Sequence, residues 1–185
     1  MKRFLPLLMI TLGLTLSITL QEHTTKRPPL PPRTLETGGW VSFSSEEGRF
    51  SVLMPETPVD KAETTESAHG PYTTHLFIVR DTTSVYLIGW VDYDPSFNFN
   101  RQAELEANRD NFVKGVKATL INSRSVTLDG YQALEFTAET ADTIFKSRVY
   151  MVGRRPYQLV AGTSKGFDDS RNVSRFFESF KVRVR

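Results

Sequence analysis

The sequence contains no cysteine. That absence excludes structural disulfides, thiolate metal sites, thiol nucleophiles and a lipid attached through a Cys at the end of a leader. Histidine is scarce: His23, His69 and His75 are the only three, without an H-E-x-x-H pair or a one-turn helical spacing, so no zinc motif is written in the chain. A Walker loop is also missing, and no Ser-His-Asp arrangement is visible. There is no dense Lys/Arg cluster, and Lys2 and Arg3 account for the whole formal net charge of +2. A balanced domain of this kind argues against nucleic acid as its partner. No repeat of solenoid or propeller period is present.

What is present begins with a leader. Lys2 and Arg3 precede an apolar run from Phe4 to Leu20, the pattern of a segment whose charges stay in the cytoplasm while the run enters the bilayer. Residues 1–20 are therefore predicted to be a signal peptide, cut before Leu20, or an N-terminal membrane anchor that is kept. As a helix the run spans roughly 25 Å, near the short limit for a bilayer core of about 30 Å. Either way the chain is expected to be exported, periplasmic or otherwise extracytoplasmic. Residues 21–39 form a Pro-rich linker, in which Arg27-Pro-Pro-Leu-Pro-Pro-Arg33 is too proline-dense for helix or sheet and reads as an extended spacer. Residues 40–185 are then one domain, long enough to support its own core.

Within that domain the pattern is strand, turn, strand. Val41 to Phe43 and Phe50 to Met54 flank a Gly-containing turn, and Pro55 and Pro58 end the second strand by withholding N–H donors. Further strands are predicted over 61–67, 72–79, 85–93, 120–128, 131–140, 143–152 and 157–161. Asp129-Gly130 is a two-residue hairpin turn, because both residues accept positive φ. Two helices interrupt the strands. Arg101 to Lys117 carries Leu105, Phe112, Val113 and Val116 on one stripe, with Asn98 or Asn100 as N-cap. Asp168 to Ser179 carries Val173, Phe176, Phe177 and Phe180 at i, i+3, i+4 and i+7. The closing Lys181-Val-Arg-Val-Arg185 alternates as an edge strand does. The predicted class is α+β: an antiparallel β-sheet flanked by two main α-helices.

Trp40, Phe43, Glu47-Gly48, Phe50-Ser-Val and Pro55-x-x-Pro58 resemble the opening of secreted PsbP-like domains, and Arg175-Phe-Phe-Glu-Ser-Phe180 resembles their closing helix and strand. The similarity runs from about Trp40 to the C-terminus. It implies an antiparallel sheet between helices. It also implies a role like that of members which dock on larger assemblies, among them extrinsic subunits of photosystem II and periplasmic DcrB-like lipoproteins. The lipobox Cys of the lipoprotein members is missing, and no residue set maps to a photosystem site.

Candidate chemistry is thin. His69 and His75 are read as solvent-exposed or capping residues rather than as a Zn or Cu pair. Asp92, Asp94, Asn98 and Asn100 are oxygen-rich but lack the Gly and the distal Glu of a calcium loop. Gly162-Thr-Ser-Lys-Gly166 is a strand-to-helix turn, and Glu46-Glu47 and Asp168-Asp169 are turn and helix-start carboxylates. No catalytic residue, cofactor or metal is therefore assigned. The expected role is a non-catalytic interaction or assembly module docking on an envelope or membrane-complex protein, in contact with the membrane only through its N-terminal segment. Tyr93, Phe97 and Phe99 are the expected interaction surface, since aromatics beside an irregular connection serve as interface anchors. The alternative is a small-ligand or lipid-binding periplasmic domain, with Trp90 and phenylalanines lining a pocket.

Overall fold

The computed structural model describes residues 39–65, 71–95 and 100–183. Ten strands and two helices follow one another as β1 (Val41–Ser45), β2 (Phe50–Met54), β3 (Val59–Thr65), β4 (Tyr72–Arg80), β5 (Ser84–Tyr93), α1 (Arg101–Gly115), β6 (Thr119–Leu128), β7 (Tyr131–Glu139), β8 (Thr143–Val152), β9 (Arg155–Ser164), α2 (Ser170–Ser179) and β10 (Lys181–Val182). The fold is α+β and its strand pairs are antiparallel. Seven strands form one sheet in the order β3-β4-β5-β9-β8-β7-β6. The sequence led us to expect a single sheet, but β1, β2 and β10 form a second, three-stranded one.

Local chemistry accounts for most of the boundaries. Asp81 Oδ1 accepts from the backbone N–H groups of Thr83 and Ser84 at 2.7 and 2.6 Å, which closes the β4–β5 turn. Asp129 and Gly130 have φ of 51° and 81°, the left-handed pair that a two-residue hairpin between β6 and β7 needs. Asn100 Oδ1 accepts from Ala103 N at 3.1 Å and caps α1. The start of β9 differs from expectation. The turn before β9 is shorter, so Pro156 lies inside the strand opposite Met151. The β5 ladder ends at Trp90 and Tyr157, which leaves Pro156 beyond it, where a missing N–H is tolerated.

Two buried clusters result. Alternate residues of β4 and β5 divide between them, as a two-residue period dictates. Phe77, Val79, Tyr86, Ile88 and Trp90 join one cluster with Phe50, Val52 and Met54 of the small sheet and Val173, Phe176 and Phe177 of α2. Leu76, Ile78 and Leu87 join the other with Leu105 and Phe112 of α1. The α1 stripe is as expected, with Val113 and Val116 half-buried against that cluster. Its face also buries Glu104 and Asn108. Phe50 is fully buried, and its ring lies 5.7 to 6.3 Å from those of Trp90, Phe180, Tyr157 and Phe77. Truncating a phenylalanine so placed costs about 3–5 kcal/mol.

Candidate functional site

One group of side chains gathers polar chemistry at the junction of the two sheets. It is built on a row across the main sheet: His75 on β4 stands opposite Trp90 on β5, Trp90 opposite Tyr157 on β9, and Tyr157 opposite Tyr150 on β8. The His75 imidazole stacks on the Trp90 ring at 4.3 Å with a 2° interplanar angle. Two positions along each strand, on the same face, stand Asp92 and Arg155. Arg155 holds Asp92 Oδ1 with two nitrogens, Nη2 at 2.6 Å and Nε at 2.7 Å. Asp92 Oδ2 accepts from Trp90 Nε1 at 3.2 Å.

The β1–β2 turn closes over this row. Arg155 Nη1 donates to the Glu47 carbonyl oxygen at 2.8 Å, and the Tyr157 phenol donates to the Gly48 carbonyl oxygen at 2.7 Å. Gly48 leaves room for this closure, because a Cβ there would stand 2.5 Å from the Phe50 ring and 2.9 Å from Ser45 Oγ. The Glu47 carboxylate then stands 3.7 Å from His75 Nε2, and Asp92 Oδ2 stands 3.8 Å from the same nitrogen. Burial works against the charge of Arg155, but the hydrogen bond to Tyr157 and the field of Asp92 outweigh it and raise its pKa above the ordinary arginine value.

His75 is therefore not the solvent-exposed or capping residue expected from sequence. It is 8% exposed, because Trp90 covers its face and the first turn covers its edge. The sequence held part of the signal: counting back from the Asp81–Ser84 turn pairs residue 80 with 85 and so 75 with 90. Glu47 and Arg155 gave none, since they arrive from distant turns.

The other expected residues are placed as follows. Tyr93 is half-buried, packed 6.2 Å from the Tyr72 ring, with its hydroxyl donated to the Glu104 carboxylate. Phe97 and Phe99 lie outside the described residues, as do His23, His69 and Asn98. Asp92 is engaged by Arg155 and Asn100 by its cap, so two of the four calcium-loop oxygens serve other partners. Glu46 turns away from Glu47 to pair with Arg183 at 2.8 Å. Asp168 accepts from Ser170 N at the start of α2, and this backbone bond, followed by the Ser170 hydroxyl, holds its pKa below the usual range. Gly162, Thr163 and Ser164 belong to β9, and Lys165 pairs with Glu139 at 3.1 Å.

Trp90 does not line a ligand-sized pocket. That residue is 2% exposed, and the cavity it borders with His75, Asn108 and Gln158 measures about 10 Å³. Such a volume admits one water and no lipid chain. A larger groove of about 460 Å³ opens between α2 and strands β6 to β8, lined by Arg124, Glu135, Lys146, Arg148, Phe177 and Glu178. Glu135 bridges its two arginines, to Arg124 Nη2 at 2.5 Å and Arg148 Nε at 2.8 Å. Among the described residues, no helix is long and apolar enough to cross a membrane.

No protein-family model matches the sequence, and no curated protein matches it. Solved structures do. The solution structure of cyanobacterial PsbP (CyanoP) from Synechocystis sp. PCC 6803 is 14% identical, with a TM-score of 0.50 over 82% of this chain and 97% of that one. A Bacteroides thetaiotaomicron protein solved by crystallography is 15% identical, with a TM-score of 0.38 over 78% of this chain and 48% of that one, and carries no argument here. Two helices, the antiparallel sheets and near-complete coverage of the cyanobacterial structure together give this chain a PsbP-like fold.

Proposed function

We propose that the chain is a non-catalytic, exported interaction module that docks on a membrane-associated or cell-envelope protein complex. Residues 1–20 export it, as a signal peptide or a retained anchor, residues 21–39 hold it off the bilayer, and residues 40–185 are the docking domain, its main sheet flanked by its two helices. The partner is an envelope protein rather than nucleic acid. No reaction is assigned.

The observation that carries this reading lies at the β5–α1 connection. Tyr93 at its start is fastened to α1 through Glu104, and Asn100 at its end caps the same helix. The segment bearing Phe97 and Phe99 thus starts and finishes on anchored residues. Fixing the ends of a connection lowers the ordering cost of presenting its aromatics to a partner. The PsbP-like fold and the basic-then-apolar leader support the same reading.

In-cell crosslinking of the tagged full-length protein, followed by fractionation and mass spectrometry, tests it. Recovery of a reproducible membrane-complex partner, lost when residues 40–185 are deleted, is the expected result. Recovery of uncrosslinked monomer alone in the cytosolic fraction contradicts both docking and export.

A further inference from the structure

The geometry points to a divalent transition-metal site formed by Glu47, His75 and Asp92, which clips the β1–β2 turn to the main sheet. This inference is independent of the docking reading. One ligand atom from each residue lies within 4.8 Å of the other two. His75 Nε2 stands 3.7 Å from Glu47 Oε1 and 3.8 Å from Asp92 Oδ2. Those separations exceed ordinary hydrogen-bond lengths, so His75 stands beside both carboxylates without bonding either.

They suit a cation at that point. Zinc bound to nitrogen and oxygen at about 2.0–2.2 Å with tetrahedral angles sets its ligands roughly 3.4 Å apart. The two distances to His75 need only small closure. The remaining adjustment falls to Glu47, whose side chain is 68% exposed on a turn.

The surroundings orient the ligands as outer partners do in metal sites. Trp90 fixes the plane of the imidazole by stacking, Arg155 takes Asp92 Oδ1, and Trp90 Nε1 holds Oδ2 at 3.2 Å while it stands 3.8 Å from His75. Arg155 offsets one of the two carboxylate charges, so a dication bound through the imidazole meets a net charge of about −1 from the charged side chains, which favours a site of moderate affinity. One imidazole and two carboxylates select a first-row divalent ion over Mg²⁺, which prefers an all-oxygen octahedron with several waters. Three protein ligands leave a fourth position for water on the exposed side of Glu47.

Metal binding by the folded state alone raises stability by mass action. The test is titration of Zn²⁺ into the chelator-treated full-length protein by calorimetry, with thermal unfolding in Zn²⁺ and in Mg²⁺. The wild type is expected to bind one Zn²⁺ and to show a Tm that rises with Zn²⁺ but not with Mg²⁺. Glu47→Gln, in an exposed turn, is expected to fold normally and bind about tenfold more weakly or worse. His75→Gln is expected to lose binding, whereas His23→Gln with His69→Gln keeps it. Absence of Zn²⁺ binding overturns the proposal. So does binding that Glu47→Gln leaves intact, or binding lost with His23 and His69.

Discussion

The Tyr157 phenol donates to the carbonyl oxygen of Gly48 at 2.7 Å, joining the first turn of the domain to the middle strand of the main sheet across 109 positions of sequence. Tyr157→Phe removes this donor and leaves a buried carbonyl unsatisfied. The expected loss is about 1–3 kcal/mol of unfolding free energy. Urea denaturation measures it, and an unchanged midpoint would show that the turn is held by other contacts.

Gly89 is expected to resist substitution for a different reason. A Cβ there would stand 2.8 Å from the His75 carbonyl oxygen, a backbone atom of the paired strand that cannot swing aside. Gly89→Ala should destabilise the fold by about 1–3 kcal/mol through overpacking. Thermal unfolding checks this, and a neutral result would mean that β4 and β5 separate more readily than their ladder implies.

The buried carboxyl of Glu104 gives the fold a pH dependence. Burial pushes its pKa above the usual value of 4.5, although the Tyr93 hydroxyl and Asn108 pull the other way. The folded protein therefore holds this proton more tightly than the unfolded chain does. Its contribution is fully present below the unfolded value and is lost as pH rises through the folded one. Glu104→Gln keeps an acceptor for Tyr93 but does not titrate. Urea midpoints compared at about pH 4 and about pH 8 should show the wild type losing ground to the variant as pH rises. Parallel profiles would contradict the assignment.

Local features of this fold were legible and convergent ones were not. The hairpin at Asp129-Gly130, the Asn100 cap and the Val173, Phe176, Phe177 stripe each depend on residues within a few positions. Those were readable because turn and cap chemistry is local. The second sheet was not readable, because β10 pairs with β2 near the opposite end of the domain. The burial of Glu104 and Asn108 is not legible in the sequence because periodicity marks apolar residues and both are polar. The burial of His75 was hidden for the same reason, and because Glu47 and Arg155 reach its surroundings from the first turn and from β9.

The docking surface is the central claim, and a site-specific photocrosslinker tests it most directly. The probe replaces Phe97 or Phe99 in the full-length protein, and in a control it replaces Lys61, exposed on the edge strand β3. Irradiation in cells should give the same discrete adduct with one membrane-complex protein from positions 97 and 99, and no such adduct from position 61. Equal adducts from all three positions, or none from positions 97 and 99, would contradict docking through the β5–α1 connection.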